Sequence, residues 1–91
     1  MQIIKLKNDK KKYMAIFSDG QKVKFGASGY SDFILSGGDI KKREAYRKRH
    51  AKDLETGDPR RPGFLSYYIL WNKPTLEESI KDYERRFSKY L

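Results

Sequence analysis

The stretch that decides the fold is Tyr13-Met14-Ala15-Ile16-Phe17, followed by Ser18-Asp19-Gly20-Gln21 and, after Lys22, Val23-Lys24-Phe25. Two short runs rich in β-branched and aromatic residues flank an Asp-Gly pair. This is a strong hairpin signal, because a type I′ turn needs positive φ at both central residues. Upstream, Ile3, Ile4 and Leu6 stand among lysines and read as another short strand, so the first third is expected to be a three-stranded antiparallel meander. Alternation predicts Lys5, Lys7, Lys22 and Lys24 on the solvated face and Ile4, Leu6, Val23 and Phe25 toward the core.

Working outward, a glycine-bearing loop, Gly26-Ala27-Ser28-Gly29-Tyr30-Ser31-Asp32-Phe33, ends near Gly37-Gly38. Asp39 is placed to cap a helix from Ile40 to about Leu54, which Gly57-Asp58-Pro59 stops. On that helix Tyr46, His50 and Leu54 recur every fourth residue and form a narrow stripe, so it is expected to lean on the body by one edge. Pro62 suits a first helical turn, and Phe64, Leu65, Tyr68, Ile69 and Trp71 follow on spacings of three and four. This short helix is expected to be the most buried element, with Trp71 closing the core. Thr75-Leu76-Glu77-Glu78 matches a capping box and opens a last helix. Its inner stripe is Leu76, Ile80, Tyr83, Phe87 and Leu91, with Lys81, Arg85, Arg86 and Lys89 outward. The whole reads as a single α+β domain over residues 1–91: an N-terminal three-stranded antiparallel sheet packed against two C-terminal helices, with a basic helix at the edge.

The 91 residues carry 21 Lys+Arg against 12 Asp+Glu, a formal charge of +9. Residues 1–38 hold seven basic and three acidic groups and residues 39–62 hold nine and five, while residues 63–91 are nearly balanced at five and four. Such a surplus on a small surface favours polyanions, anionic membrane faces or acidic protein surfaces. With no cysteine and one histidine, disulfide frameworks, thiolate chemistry and multi-histidine zinc sites are excluded. The longest nearly apolar run, Phe64 to Trp71, is far short of the roughly 20 residues that span a bilayer, so no transmembrane segment is expected. The opening MQIIKLKNDKKKY lacks the pattern of a signal peptide, and an intracellular, reducing compartment is expected.

The feature of most weight is the cationic run Lys41, Lys42, Arg43, Arg47, Lys48, Arg49 and Lys52, followed by Arg60 and Arg61. Only Glu44, Asp53 and Glu55 offset the seven cations between residues 40 and 55, so internal pairing is not expected to absorb them. These nine residues are the candidate polyanion- or partner-binding site. Phosphate-contacting cations give affinity without sequence information. Replacing Arg47, Lys48 and Arg49 together by Gln is expected to leave the fold intact. Tyr30, Phe33 and Tyr46 lie near the run and read as core or loop-anchoring residues in preference to base-stacking ones. The glycine loop has neither nucleotide-binding signature and reads as a structural turn. His50 reads as a packing or hydrogen-bonding residue. Asp19, Asp32, Asp39, Asp53 and Asp58 would be the ligands of a magnesium nuclease, but most already have turn or cap roles. Ser18, Ser28, Ser31 and Ser66 lack a nucleophile-elbow context. No catalytic residue, metal site, cofactor or small-molecule substrate is expected.

Several motifs recur in one order: Tyr13-Met14-Ala15-Ile16-Phe17-Ser18-Asp19-Gly20, Gly29-Tyr30-Ser31-Asp32-Phe33, Tyr46-Arg47-Lys48-Arg49-His50 and Leu70-Trp71-Asn72-Lys73-Pro74-Thr75-Leu76. In this series the chain resembles a family of short basic uncharacterised proteins encoded by large nucleocytoplasmic DNA viruses, including those of algae and amoebae. The likeness runs from Tyr13 to Phe87, and Leu35 to Asp39, with its paired glycines, departs from it. The resemblance brings no catalytic residues. It implies a viral protein located in the virion or in a host compartment during infection. The expected function is therefore a non-enzymatic minor capsid or core protein that bridges larger virion proteins with acidic surfaces, or DNA. The alternative is a sequence-nonspecific nucleic-acid-binding protein using the basic helix.

Overall fold

The computed structural model describes residues 1–91. Strands β1 (Gln2–Lys5), β2 (Lys11–Ile16) and β3 (Lys22–Ala27) form an antiparallel sheet in the order β1-β2-β3, the expected meander. The β2–β3 turn differs from the type I′ expectation. Gly20 has φ 89°, Asp19 does not have positive φ, and Phe17 N–H donates to Gln21 O while Gly20 N–H donates to Phe17 O. These bonds enclose a three-residue loop with a left-handed glycine bulge, the next commonest hairpin solution, which needs glycine at one position only.

The register also corrects the facing of β1. Ile3 stands opposite Ala15, Ala15 opposite Val23, and Tyr13 opposite Phe25, and these residues share the inner face. Ile4 stands opposite Met14, which is itself opposite Lys24. Ile4 therefore lies on the lysine-bearing outer face, and Leu6 falls beyond the strand. Two adjacent isoleucines satisfy alternation in either phase, and a one-residue shift exchanges every side chain between faces.

The core joins Ala15, Phe17 and Phe25 of the sheet region to Leu65, Ile69, Leu70 and Tyr83. Its cover is the segment Pro62–Leu70, which begins as α2 (Pro62–Leu65) with proline in its first turn and widens into a π turn (Ser66–Leu70). There Trp71 N–H reaches back to Ser66 O. The extra residue in the turn buries Ser66 and Leu70 along with Leu65 and Ile69. Trp71, expected to close the core, is left half-buried at the rim.

The last helix, α3 in chain order after the basic helix α1 (Ile40–His50), spans Leu76–Arg86. Thr75 caps it by accepting from Glu78 N–H at 3.2 Å. It packs mainly on the π turn and reaches the core through Tyr83, whose hydroxyl donates to Pro59 O at 2.5 Å. The sheet is thus covered chiefly by one short segment, with α3 behind it, in place of two helices side by side. Leu76, Ile80, Phe87 and Leu91 pack partly buried against the core, as their spacing predicts.

Asp39 caps α1 by accepting from Lys42 N–H. The α-helix ends at His50, earlier than the expected Leu54, and continues as a 3₁₀ turn (Ala51–Thr56) that Gly57 closes at φ 65°. No residue of α1 is buried. The Cα radius of gyration is 12.3 Å, close to the ~12 Å of a single compact domain of this length.

Candidate polyanion interface

A helix without buried residues must be held by something other than an apolar stripe. At 100° per residue, Arg43, Tyr46, Arg47 and His50 fall on one side of α1, and Lys41, Lys42, Lys48 and Arg49 fall within an arc of about 120° on the other. The first group is the anchor. The Tyr46 ring lies between His50 and Trp71, with centroids 4.2 Å and 4.4 Å away and nearly parallel planes. Burial pushes the Tyr46 phenol up to about 12, and the Asp53 charge adds to that. His50 Nδ1 sits 3.0 Å from Asp53 Oδ2, so this histidine packs and hydrogen-bonds as expected.

The two anchoring arginines satisfy backbone and aromatic groups. Arg47 donates to Trp71 O at 2.9 Å and Asn72 Oδ1 at 3.2 Å, with its guanidinium over Tyr67. Arg43 donates to Asn72 O at 3.1 Å and covers the buried ring of Phe33. Arg60, at the other end of the cationic series, contacts Asp19 Oδ2, Gln21 Oε1 and Tyr90 O, and stacks over Phe17. Counting carboxylates alone missed this. Carbonyl oxygens and ring faces, with Glu44 beside Arg43 and Asp19 beside Arg60, absorb Arg43, Arg47 and Arg60, so those three hold the fold together. Replacing Arg47 by Gln, alone or with Lys48 and Arg49, therefore removes internal contacts as well as surface charge.

The remaining candidates face outward. Lys41, Lys42, Lys48, Arg49 and Lys52 are exposed and make no side-chain hydrogen bond or ion pair within the chain. Arg61 is exposed and only loosely paired, 3.7 Å from Asp58. The structure thus sorts the nine candidates into an inward set and an outward set, and brings four of the outward set together on one face of α1.

Sequence reasoning missed Asn72 and Asp82, which position this face. The Asp82 carboxylate is buried and accepts from Asn72 Nδ2 at 2.6 Å, from Arg86 at 2.8 Å and from Arg85. Burial pushes its carboxyl up, but the hydrogen bonds from Arg86, Asn72 and Arg85 together outweigh that and hold it at about 2. Through Asn72 the network ties α3 to Arg47 on α1. The available signal was an acid beside Tyr83 with arginines three and four residues on, the spacing of ion pairs on one helix face.

Beside α1 lies the glycine loop. Asp32 is buried, accepts from Leu35 N–H at 2.7 Å and pairs with Lys12 Nζ at 2.7 Å. Phe33 N–H is bonded to Leu70 O. Phe33 is thus a core residue, as expected, but Tyr30 is 73% exposed and anchors nothing. Between this loop and α1 runs a cleft of ≈ 400 Å³. The other aspartates named above lie apart: Asp19 pairs with Arg60, Asp39 caps α1, Asp53 meets His50, and Asp58 accepts from Arg60 N–H. No cluster of three or more metal-ligating side chains forms, and no helix is long and apolar enough to cross a membrane.

Among known proteins, a family model described as a family of unknown function, DUF5754, matches residues 1–50, which comprise the sheet, the glycine loop and α1. No curated protein and no solved structure matches the chain.

Proposed function

Starting from a chain that belongs to the DUF5754 family, whose function is unknown, we propose that this protein is a non-enzymatic, sequence-nonspecific nucleic-acid-binding protein that lays the outer face of α1 against phosphates. The observation that carries this reading is the division of α1. Its arginines Arg43 and Arg47 are spent on attachment, while Lys41, Lys42, Lys48 and Arg49 share an outward face with no in-chain partner. A basic helix held to the body by polar and stacking contacts is arranged to present charge, and charge presented without base-reading geometry gives affinity without sequence preference.

The test is binding of random-sequence duplex and single-stranded nucleic acid across a salt series, for the native chain and a Lys41→Gln/Lys42→Gln/Lys48→Gln variant. Binding that falls steeply with salt, and is weakened in the variant without loss of stability, supports the reading. No binding at physiological salt, or equal binding by both proteins, overturns it.

A second reading is favoured by the further exposed lysines Lys5, Lys7, Lys10, Lys11 and Lys22 on the sheet and its connections. Cations on more than one side suit a small virion component set among several acidic neighbours, the role that the viral resemblance implies. Recovery of the chain from purified particles, in contact with shell or core proteins, would favour that role.

A further inference from the structure

We propose that the cleft between the glycine loop and α1 is a stacking subsite for an unpaired nucleobase, so that the protein favours single-stranded over duplex nucleic acid. This rests on the nucleic-acid reading above and adds a site to it.

The cleft is walled by Tyr30 and Ser31 of the loop, by Arg49, Tyr46 and His50 of α1, and by Trp71. Three features give it the chemistry of a base site. The first is aromatic surface: the His50–Tyr46–Trp71 ladder borders it, and Tyr30 stands largely in solvent with no hydrogen bond or ring contact of its own. Tyr30, solvated and without an aromatic partner, offers a ring face on which a planar guest can stack. The second is charge: Arg49 is exposed and unpaired at the rim, continuous with the outer face of α1. The one acid in the lining, Asp32, is already neutralised by Lys12. A cation beside aromatic rings suits a base joined to a phosphate, and stacking of this kind tolerates any base. The third is size. At ≈ 400 Å³ the space falls within the range of small-ligand sites.

A larger cleft of ≈ 520 Å³ lined in part by the same loop shares Tyr30, but the rest of its lining includes Lys5, Leu6, Leu35 and only one further aromatic, Tyr13. It offers no comparable ladder. A duplex keeps its bases stacked inside and cannot fill the α1 cleft without unpairing, and this gives the preference for single strands.

The test compares an oligodeoxythymidylate of about a dozen nucleotides with an abasic strand of the same phosphate count. Trp71, the single tryptophan, serves as fluorescent reporter. The native protein is expected to bind the thymidylate at least about fivefold more tightly than the abasic strand, with a change in Trp71 emission that the abasic strand does not produce. Tyr30→Ala should abolish the preference and leave abasic binding unchanged, while Tyr30→Phe retains it. Tyr30 is exposed and packs against no core residue, so its replacement does not endanger the fold. Equal affinity for the two strands, or a preference that survives Tyr30→Ala, overturns the subsite while leaving phosphate binding by α1 standing. Failure to bind either strand overturns the nucleic-acid reading and the subsite with it.

Discussion

Gly26 is buried at φ 79°, and a Cβ built there would meet Leu70 Cδ1 at 2.6 Å and Lys12 Cβ at 3.4 Å. Gly26→Ala adds left-handed strain to overpacking against the π turn, and a loss of about 3 kcal/mol is expected in urea denaturation. Asp82 makes a different prediction. Its folded carboxyl titrates at about 2 against an ordinary value of 3.8. A depressed folded value means that its stabilisation is complete above about pH 4 and is lost as the pH falls toward 2. Asp82→Asn should cost about 1–3 kcal/mol at neutral pH, because the buried Asn72 amide loses its charged acceptor, and it should flatten the acid limb of the stability profile. Chemical denaturation of both proteins between pH 2 and 7 checks this. Neither role is legible from the residue alone, although Arg85 and Arg86 at three and four residues beyond Asp82 mark it as an ion-pair position. Gly26 reads like any loop glycine until the approach of Leu70 is known, and Asp82 lies beside the apolar stripe of α3, on a flank where a solvated acid is ordinary.

At the scale of elements, what was legible depended on whether the signal was local. The capping residues Asp39 and Thr75, the stop at Gly57 and the first-turn Pro62 act on their own backbone, and each lies where the sequence places it. The phase of β1 and the π turn are set by partners distant in sequence. Ile3-Ile4 fits both phases, and nothing in Ser66-Tyr67-Tyr68-Ile69-Leu70 reveals an i+5 turn. The candidate site was legible as a cluster of charge but not as two faces, because attachment runs through carbonyl oxygens and rings that a count of acids ignores. Arg47→Gln is accordingly expected to lower stability by about 1–2 kcal/mol by urea denaturation, through lost contacts with Trp71 O, Asn72 and Tyr67. Lys48→Gln, with no in-chain partner, should stay within about 0.5 kcal/mol of the native protein.

Over the whole molecule, the formal +9 overstates the charge available to a partner on any one side. If only Lys41, Lys42, Lys48, Arg49 and Lys52 meet phosphates of a single strand, the slope of log affinity against log salt should be about −3.5. Engagement of all nine candidates, Arg43, Arg47, Arg60 and Arg61 included, would steepen it to about −6. A salt titration of binding to a single-stranded oligonucleotide separates the two, and a value near the shallower one matches the sorting of the cations seen here. A fall of that slope to about −1.4 in the Lys41→Gln/Lys42→Gln/Lys48→Gln variant, which keeps Arg49 and Lys52, would locate the contacts on α1.

The docking of α1 has a further consequence for the life of the folded chain. A helix with no buried residue opens at little cost compared with the sheet, and native-state cleavage by a protease follows such local opening. This helix is also the part of the chain densest in lysine and arginine, the residues after which trypsin cuts. Limited digestion should therefore begin between Lys41 and Lys52, well before the α3 arginines are reached, and a ligand lying along the outer face would slow that first cut.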